Sequence, residues 1–558
     1  MSTHARPLAE RLAAASDAQL ERMLRERGVR PDAGWADFFD AAEALLEPAS
    51  IERALARLTL PQARALRSAG TGDPVELGDA GIGLLDADGR VLPPVRAVVD
   101  AQAAIPDADD ARPAPASGPD SAQAAERAFA TIGGLAELLL AARTAPLSLV
   151  ATGALSATEK RRLLDEGDLD ELRDLAELAG LARRIGRELR LTVDAEKWLD
   201  ASFVTRWELV AARFRDALPT GIREHGSIDW ARIHPWDAAW PSRAAHLSTL
   251  AWRIGLLAGE SAADSSTAPE WGAALHTAEP FDSSALQALL PSEVDRIFLQ
   301  NDLSAIAPGP LQPLLDNRLR VMTEHDPAQA SSYRFTAESV SRALVEGDSA
   351  EGILSFLREI SLTGVPQPLE YLVRQTAARH GLVRVRADAD GATTVTSEDT
   401  HLLEAMEIDR NLRPLGLLRE SDRLISRVGA EAVAWALTDA RYPATLVDRD
   451  GRSIAAGRAR IAGPDARDER AHAALIARLR SHHGPDADAA WLDRELEAAV
   501  RAKAVVLVEV AMPDGSRREL TLEAAGLGGG RLRGRDRSAD VERTLPVRSI
   551  VSVRVLQS

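Results

Sequence analysis

Three times along this chain, short helical patterns run into a hairpin signal. That recurring order constrains the fold more than any other feature. In the first run Leu8 and Leu12, Leu20 and Leu24, then Ile51, Leu55 and Leu58 fall at spacings of four and three, one face of a helix. The run leads into GIGLLDADGRVLPPV (81–95), where Asp86-Ala87-Asp88-Gly89 stands between short apolar stretches, a hairpin signal. In the second run Leu135, Leu138 and Leu139 share one side. SATEKRRLL (156–164) follows behind a capping Ser156, then DELRDLAELAGL (170–181), and LARRIGRELRLTV (181–193) turns near Gly186. The third begins with TAESVSRALVEG (336–347), capped by Thr336, and DSAEGILSFLREIS (348–361), capped by Ser349. PLEYLVRQTAARHG (368–381) has Pro368 in its first turn and stops at Gly381. LVRVRADADGATTVTS (382–397) then reads as strand, Asp388-Ala389-Asp390-Gly391 turn and strand. Helices followed by a hairpin is the order of a winged helix. The pattern predicts a mainly α, α+β chain of tandem winged-helix-like units.

Between and after these runs the composition changes. Residues 101–123, AQAAIPDADDARPAPASGPDSAQ, hold no large apolar residue except Ile105 and read as a flexible linker. GESAADSSTAPE (259–270) is a weaker one. Residues 422–428, 429–440 and 443–454 read as strand, helix and strand, ending in an Asp-x-Asp-Gly turn at 448–451. A charged helix spans 486–503, and the remainder is all-β in pattern, a small strongly bent sheet or barrel. The expected division is a helical, winged-helix-like region at 1–100 and the linker at 101–123. A helical winged-helix-like domain with Trp-rich helices follows at 124–290, then a domain at 291–460, a helical connector at 461–503 and a β domain at 504–558.

Composition narrows the chemistry. The 558-residue chain has no cysteine, which excludes disulfides, Fe–S clusters, thiolate zinc sites and a Cys nucleophile, and suits a reducing cytoplasm. No run of about 18 apolar residues occurs and no signal-type core opens the chain, so a cytoplasmic protein is expected. The net charge of −17 argues against coating nucleic acid by charge alone. Locally the balance reverses: residues 501–558 carry 11 Lys and Arg against 7 Asp and Glu. Lys occurs only at 160, 197 and 503, and none of these follows a glycine. A phosphate-gripping G-x-x-x-x-G-K-[ST] loop is therefore absent from the sequence, and no ATP-hydrolysing motor of that type is expected. GLGGGRLRG (526–534) is Gly-rich but belongs to a β region and its turn. No H-E-x-x-H or G-x-S-x-G motif appears. His472 and the adjacent His482 and His483 read as solvated surface residues, so neither catalytic residues nor a metal or cofactor are expected.

VDRIFLQNDLSAIAPGPL, from Val294, interrupts two apolar runs with Gln300-Asn301-Asp302 and ends on a Pro-Gly-Pro turn. Asn and Asp accept hydrogen bonds from nearby backbone and tolerate turn conformations, so the triplet bends or ends a strand before Leu303–Ile306. A lone Asp302 without a carboxylate or His partner is a poor catalyst. Taken with SSYRFTAESVSRALVEGDSAEGILSFLREIS, GVPQPLEYLVRQTAARHGLVRVR and LRPLGLLRESDRLISRV…YPATLVDRDG, this stretch resembles bacterial helicase-associated proteins whose domain is similar to the N-terminal domain of XPB/Ssl2 repair helicases. Gln300, Asp302 and Pro366 match that family's signature, in structural positions. Residues 504–558 resemble the WYL-type small β domain of bacterial DNA-binding regulators, with GGGRLRGRD standing where that family has its Trp-Tyr-Leu run. The resemblance implies DNA and an XPB-like helicase as partners, in repair or transcription. A ligand-responsive transcriptional regulator, or a scaffold without DNA contact, are the alternatives.

The residue pattern supplies candidate nucleic-acid contacts. The third helix of the second run, DELRDLAELAGL, is acidic, whereas its hairpin carries Arg183, Arg184, Arg187 and Arg190. The third run has Arg374 and Arg379 on its last helix and Arg384 and Arg386 on its first strand. Arg531, Arg533, Arg535 and Arg537 alternate along a strand and so share one face, with Asp536 on the other. That row tracks a phosphate backbone or solubilises an edge strand, and both readings stay open. For the other arginines a solvated surface is the plainer account. Trp198, Trp207 and Trp252 lie in apolar helical patterns, while Trp230, Trp236 and Trp240 are looser and stay open as base-stacking platforms.

Overall fold

The computed structural model describes residues 5–105, 114–163, 169–225, 229–263, 267–277, 279–325, 332–388, 391–448, 462, 471–483, 487–512 and 515–556. It is about 51% helix and 19% strand, the strands in several small sheets, a mixed α+β architecture. None of the described helices is long and apolar enough to cross a membrane. The chain divides into two units: Met1–Arg112, Pro219–Ser248 and Asp465–Ser558 in one, Pro113–Leu218 and Thr249–Pro464 in the other.

In the first unit, helices Ala5–Ala14, Asp17–Glu26, Phe38–Leu45, Pro48–Leu55, Leu60–Ser68 and Pro93–Ala101 surround a core of Leu8, Leu12, Leu20, Leu24, Ile51 and Leu55. Helix starts are written locally. Ser16 accepts from the Gln19 N–H while the Gln19 side chain accepts from the Ser16 N–H, a capping box that satisfies two otherwise unpaired donors. The hairpin expected at 81–95 is reduced to a turn. Asp86 Oδ1 accepts from the N–H groups of Asp88 and Arg90, and single bridges join Leu85 to Val91 and Pro74 to Arg90. The Asp side chain closes the loop so tightly that no ladder is needed.

Helix Ala473–Ser481 joins this core through Leu475, Ile476 and Leu479. His472, expected on the surface, is buried there. Its Nδ1 faces Glu21 Oε1 at 2.9 Å, its Nε2 faces the Val29 carbonyl at 2.8 Å, and its N–H donates to Glu21 Oε2 at 3.0 Å. Spacing alone could not show that a neighbouring helix covers this position. His483 stacks on Trp491 with centroids 5.3 Å apart.

Helix Ala487–Ala502 then leads into five antiparallel strands in the order Val541–Pro546, Arg531–Asp536, Arg517–Gly528, Val505–Ala511, Ile550–Leu556. Leu492, Leu496 and Ala499 of the helix pack on Val506, Val508 and Leu522 of the inner face. Gly529 (φ +58°) and Gly530 (φ +71°) are the two central residues of the turn between paired Gly528 and Arg531. Two successive positive φ values are what a tight hairpin requires and what glycine supplies without strain.

In the second unit, helix Gly118–Thr144, strand Leu147–Ser148, helices Ala157–Arg162 and Leu169–Leu178, and strands Ala182–Ile185 and Glu188–Leu191 follow one another. The three strands form a sheet with Glu188–Leu191 in the middle. The first helix begins inside the segment expected to be a linker, because Ser117 accepts from the Asp120 N–H and Pro119 sits in the first turn. The linker residues 106–113 lie outside the described residues.

Further along, Phe298–Leu299, Ser304–Ile306, Ser332–Arg334 and Glu324–His325 form a four-stranded antiparallel sheet. Helices Ala337–Val345, Ala350–Ile360 and Gln367–Arg379 pack on it around Tyr333, Phe335, Val340, Leu357 and Val373. The strands Val383–Ala387 and Thr393–Ser397 do not complete that group, contrary to the compact unit expected at 336–397. Val383, Val385 and Val395 belong to a separate core with Leu403, Leu424, Val433 and Leu437. There the strand order is Leu418–Glu420, Arg423–Ser426, Thr393–Ser397, Val383–Ala387, Ala444–Leu446, the last pair parallel. Strand 423–426, helix Ala430–Asp439 and strand 444–446 form the expected strand–helix–strand element. The hairpin therefore serves this larger sheet, where its valines share a core with Leu403, Leu424, Val433 and Leu437. Of the Asp-Gly turns, residues 389–390 and 449–451 lie outside the described residues.

Candidate nucleic-acid interface

The Gln300-Asn301-Asp302 turn sets the frame. Phe298 pairs with Ile306 and Leu299 with Ala305, so the triplet is the loop of a short hairpin. Asp302 Oδ1 accepts from the Ser304 hydroxyl at 2.5 Å and from its N–H at 3.1 Å, and these bonds hold the carboxyl below its ordinary range. Gln300 Oε1 accepts from the same hydroxyl at 2.9 Å. Leu303 takes a positive φ of 67°, and its carbonyl accepts from the Phe335 N–H at 2.8 Å. Asp302 is thus a turn-forming residue with its bonds directed at its own loop. Pro366 occupies the position before helix Gln367–Arg379, where its fixed φ suits an extended entry.

Behind this hairpin a partly buried set of polar contacts ties four elements together. Tyr333 donates to Asp316 at 2.5 Å, Arg320 donates to Asp316 at 2.9 Å and to Glu137 at 2.9 Å, and Asn317 donates to Asp200 at 2.7 Å. Burial, then the Asp316 charge, pushes the Tyr333 hydroxyl far above its ordinary value. None of these residues was singled out from the sequence. Glu137 and Asp200 join the group only through contacts spanning more than a hundred residues.

The candidate arginines fall into two sets. In the 182–191 hairpin, Arg183 pairs across the ladder with Arg190. Arg190 donates to Glu188 Oε2 at 2.7 and 2.9 Å, and Arg184 donates to the Gly186 carbonyl at 3.2 Å. Arg187 is exposed, and its side chain makes no hydrogen bond or ion pair among the described residues. Farther on, Arg374 donates to Glu370 at 2.8 Å and Arg386 to Asp388 at 3.2 Å, whereas Arg379 and Arg384 are exposed without such partners among the described residues. A guanidinium already paired to a carboxylate offers a phosphate little net attraction.

Strand Arg531–Asp536 alternates as its sequence predicts. Arg531, Arg533 and Arg535 are exposed, and Leu532, Gly534 and Asp536 are buried. Arg535 donates to Asp540 at 2.7 Å, while Arg531, Arg533 and the exposed Arg537 have no carboxylate partner among the described residues. The opposite face explains how the row is held. Asp536 accepts from the Ser538 hydroxyl at 2.6 Å, Arg543 Nε at 2.6 Å and the Ser538 N–H at 2.9 Å. These bonds hold its carboxyl far below the usual range. It is not an edge strand: Arg517–Gly528 and Val541–Pro546 flank it. The edge-solubilising account of the row therefore loses its ground.

The tryptophans do not form a stacking platform. Trp230, Trp236 and Trp240 are buried, with Trp240 Nε1 donating to the Trp230 carbonyl at 2.6 Å and Trp236 Nε1 to the Ala103 carbonyl at 3.2 Å. Trp198 and Trp207 are buried as well, and Arg127 stacks over the half-buried Trp252. Among the described residues no group of three or more His, Asp or Glu side chains is placed to hold a metal ion.

No curated protein matches the chain. Residues 297–421 match a helicase conserved C-terminal domain. The match runs from the hairpin around Asp302 to the edge strand Leu418–Glu420, less than a quarter of the chain, and over that stretch supports a helicase-associated protein.

Proposed function

We propose that this chain is a non-catalytic, DNA-binding accessory of an XPB-like helicase, acting in repair or transcription. The observation that carries the reading is the helicase-domain match at 297–421 in a chain whose three lysines leave no phosphate-gripping loop. Such a chain works on DNA through contact with the duplex or with a motor. Residues 118–191 follow the helix–strand–helix–helix–hairpin order of a winged helix, with the basic charge on the hairpin. In this reading residues 291–460 are the XPB N-terminal-like domain. The 504–558 sheet is a WYL-like module in which Arg531, Arg533, Arg535 and Arg537 follow a phosphate backbone.

A salt titration of binding to duplex, forked and single-stranded DNA tests this. Each phosphate neutralised contributes about 0.9 to the slope of log K against log salt. Because Asp540 already occupies Arg535, the Arg531/Arg533/Arg535 triple Ala variant is expected to lower the slope by about two rather than three. No binding by the wild type at about 50 mM salt, where phosphate contacts are strongest, refutes the DNA contact. Failure to co-purify with an XPB-like helicase or alter its ATPase rate refutes the partnership.

A further inference from the structure

The tip of the 182–191 hairpin carries an apolar side chain that the core does not use. Ile185, opposite Glu188, is 41% exposed, while Leu181, Leu189 and Leu191 of the same hairpin region are buried. Beside it Val150 is 42% exposed, in a turn whose Leu149 N–H donates to the Arg187 carbonyl at 2.8 Å. Arg184 and Arg187 flank Ile185 on the same hairpin. Arg187 is exposed and unpaired among the described residues. Arg184 donates only to the carbonyls of Gly186 and Ala151, at 3.2 and 3.4 Å. Glu188, the carboxylate at the tip, is taken up by Arg190.

An apolar point flanked on its own hairpin by the exposed Arg184 and Arg187 is complementary to an apolar target lying between rows of anions. Duplex DNA is such a target, with stacked bases between phosphates. The unit's other surface does not suit it, because helix Leu169–Leu178 carries Asp170, Glu171, Asp174 and Glu177. Its one cation, Arg173, is paired to Asp174, and the neighbouring Lys160 and Arg253 are paired to Asp170 and Glu171, so this helix offers phosphate no free cation. The ladder positions the tip: Arg183 pairs with Arg190 and Arg184 with Leu189, and Gly186 takes φ +62° in a two-residue turn. Ile185, Arg184 and Arg187 lie at or next to the turn, whereas Arg183 and Arg190 pair farther along the ladder, so the tip residues are the first to reach a groove about 6 Å wide.

We propose that this hairpin enters the minor groove of duplex DNA and that Ile185 wedges into a base step, with Arg184 and Arg187 on the flanking phosphates. The proposal rests on the DNA-binding reading above and names the groove and the contact.

The test uses the full chain and a duplex containing 2-aminopurine, whose emission rises when a base step opens. At about 50 mM salt the wild type is expected to bind and raise the emission. Ile185→Ala should bind roughly tenfold more weakly, in line with the apolar area removed, lose the emission rise and keep the salt slope. Arg187→Gln should lower the slope by about one and keep the rise in the complex that forms. Ile185→Leu, still apolar, should restore both readouts. Equal affinity and emission for the wild type and Ile185→Ala overturn the wedge, as does wild-type binding without any emission rise. If the wild type binds no DNA at this salt, the DNA reading fails and the wedge with it. Unchanged circular dichroism of the Ala variant at this exposed site separates lost contact from lost fold.

Discussion

Glu495 offers a test whose size can be worked out in advance. It lies on helix Ala487–Ala502, 3% exposed, facing Arg6 and Glu10 of helix Ala5–Ala14. Burial pushes its carboxyl from 4.5 up to about 8, since desolvation outweighs the Arg6 charge, which Glu10 partly holds at 3.0 Å. Between those two pH values the folded chain keeps a proton that the unfolded chain releases, so stability falls as pH rises. At about 1.4 kcal/mol per pH unit, the gap corresponds to an upper bound of roughly 5 kcal/mol, fully present below pH 4.5 and lost by about pH 8. Glu495→Gln keeps the shape and cannot ionise. Near pH 5 it should match the wild type, and near pH 8 it should be more stable by several kcal/mol. Hydrogen exchange of the full chain, followed on peptides from 5–14 and 487–502, reads this locally. Comparing the two proteins at the same pH removes the intrinsic pH dependence of exchange. A difference between them that is the same at both pH values would refute the assignment of a neutral, buried carboxyl.

Three further outcomes follow from the packing. Arg27 is 2% exposed and donates to the carbonyls of Leu45, Ser50 and Gly83 with no carboxylate to balance it, so Arg27→Met, which strands those acceptors, should destabilise the first unit by roughly 3 kcal/mol or more in urea unfolding. Trp230→Phe and Trp240→Phe should lower the melting temperature and leave DNA affinity unchanged, because both rings are core; a loss of affinity at unchanged stability would reinstate a stacking role. Asp536→Asn should loosen the 531–546 hairpin, seen as faster limited proteolysis there, and should lower DNA affinity by releasing the arginine row from its fixed geometry.

What the sequence disclosed and what it hid divide along a physical line. Periodicity and capping are local, so Ser156, Thr336 and Ser349 correctly marked helix starts, and alternation correctly placed Arg531, Arg533 and Arg535 on one face with Asp536 on the other. The Gln300–Asp302 turn was legible for the same reason, since its bonds stay within four residues. Ownership of a core is not local. The 383–397 hairpin looked like the wing of the helices before it, yet its valines are claimed by residues as far away as Leu437. Burial of His472 depends on Glu21, and the Tyr333–Asp316–Arg320–Glu137 network depends on three separate elements.

The same limit governs the candidate site. Sequence gives an arginine and its face; only the fold says whether a carboxylate has already taken it. Pairing removes Arg190, Arg374, Arg386 and much of Arg535 from the contest for phosphate, and leaves Arg187, Arg379, Arg384, Arg531, Arg533 and Arg537. Ile185 was invisible from the opposite side: an isoleucine in a β pattern is expected to be core, and only the fold shows it exposed next to Arg184 and Arg187. A net charge of −17 therefore does not by itself decide whether the proposed contact with a polyanion can form. What matters is not the sum of its charges but where the acids are spent on neighbours and where the arginines are not.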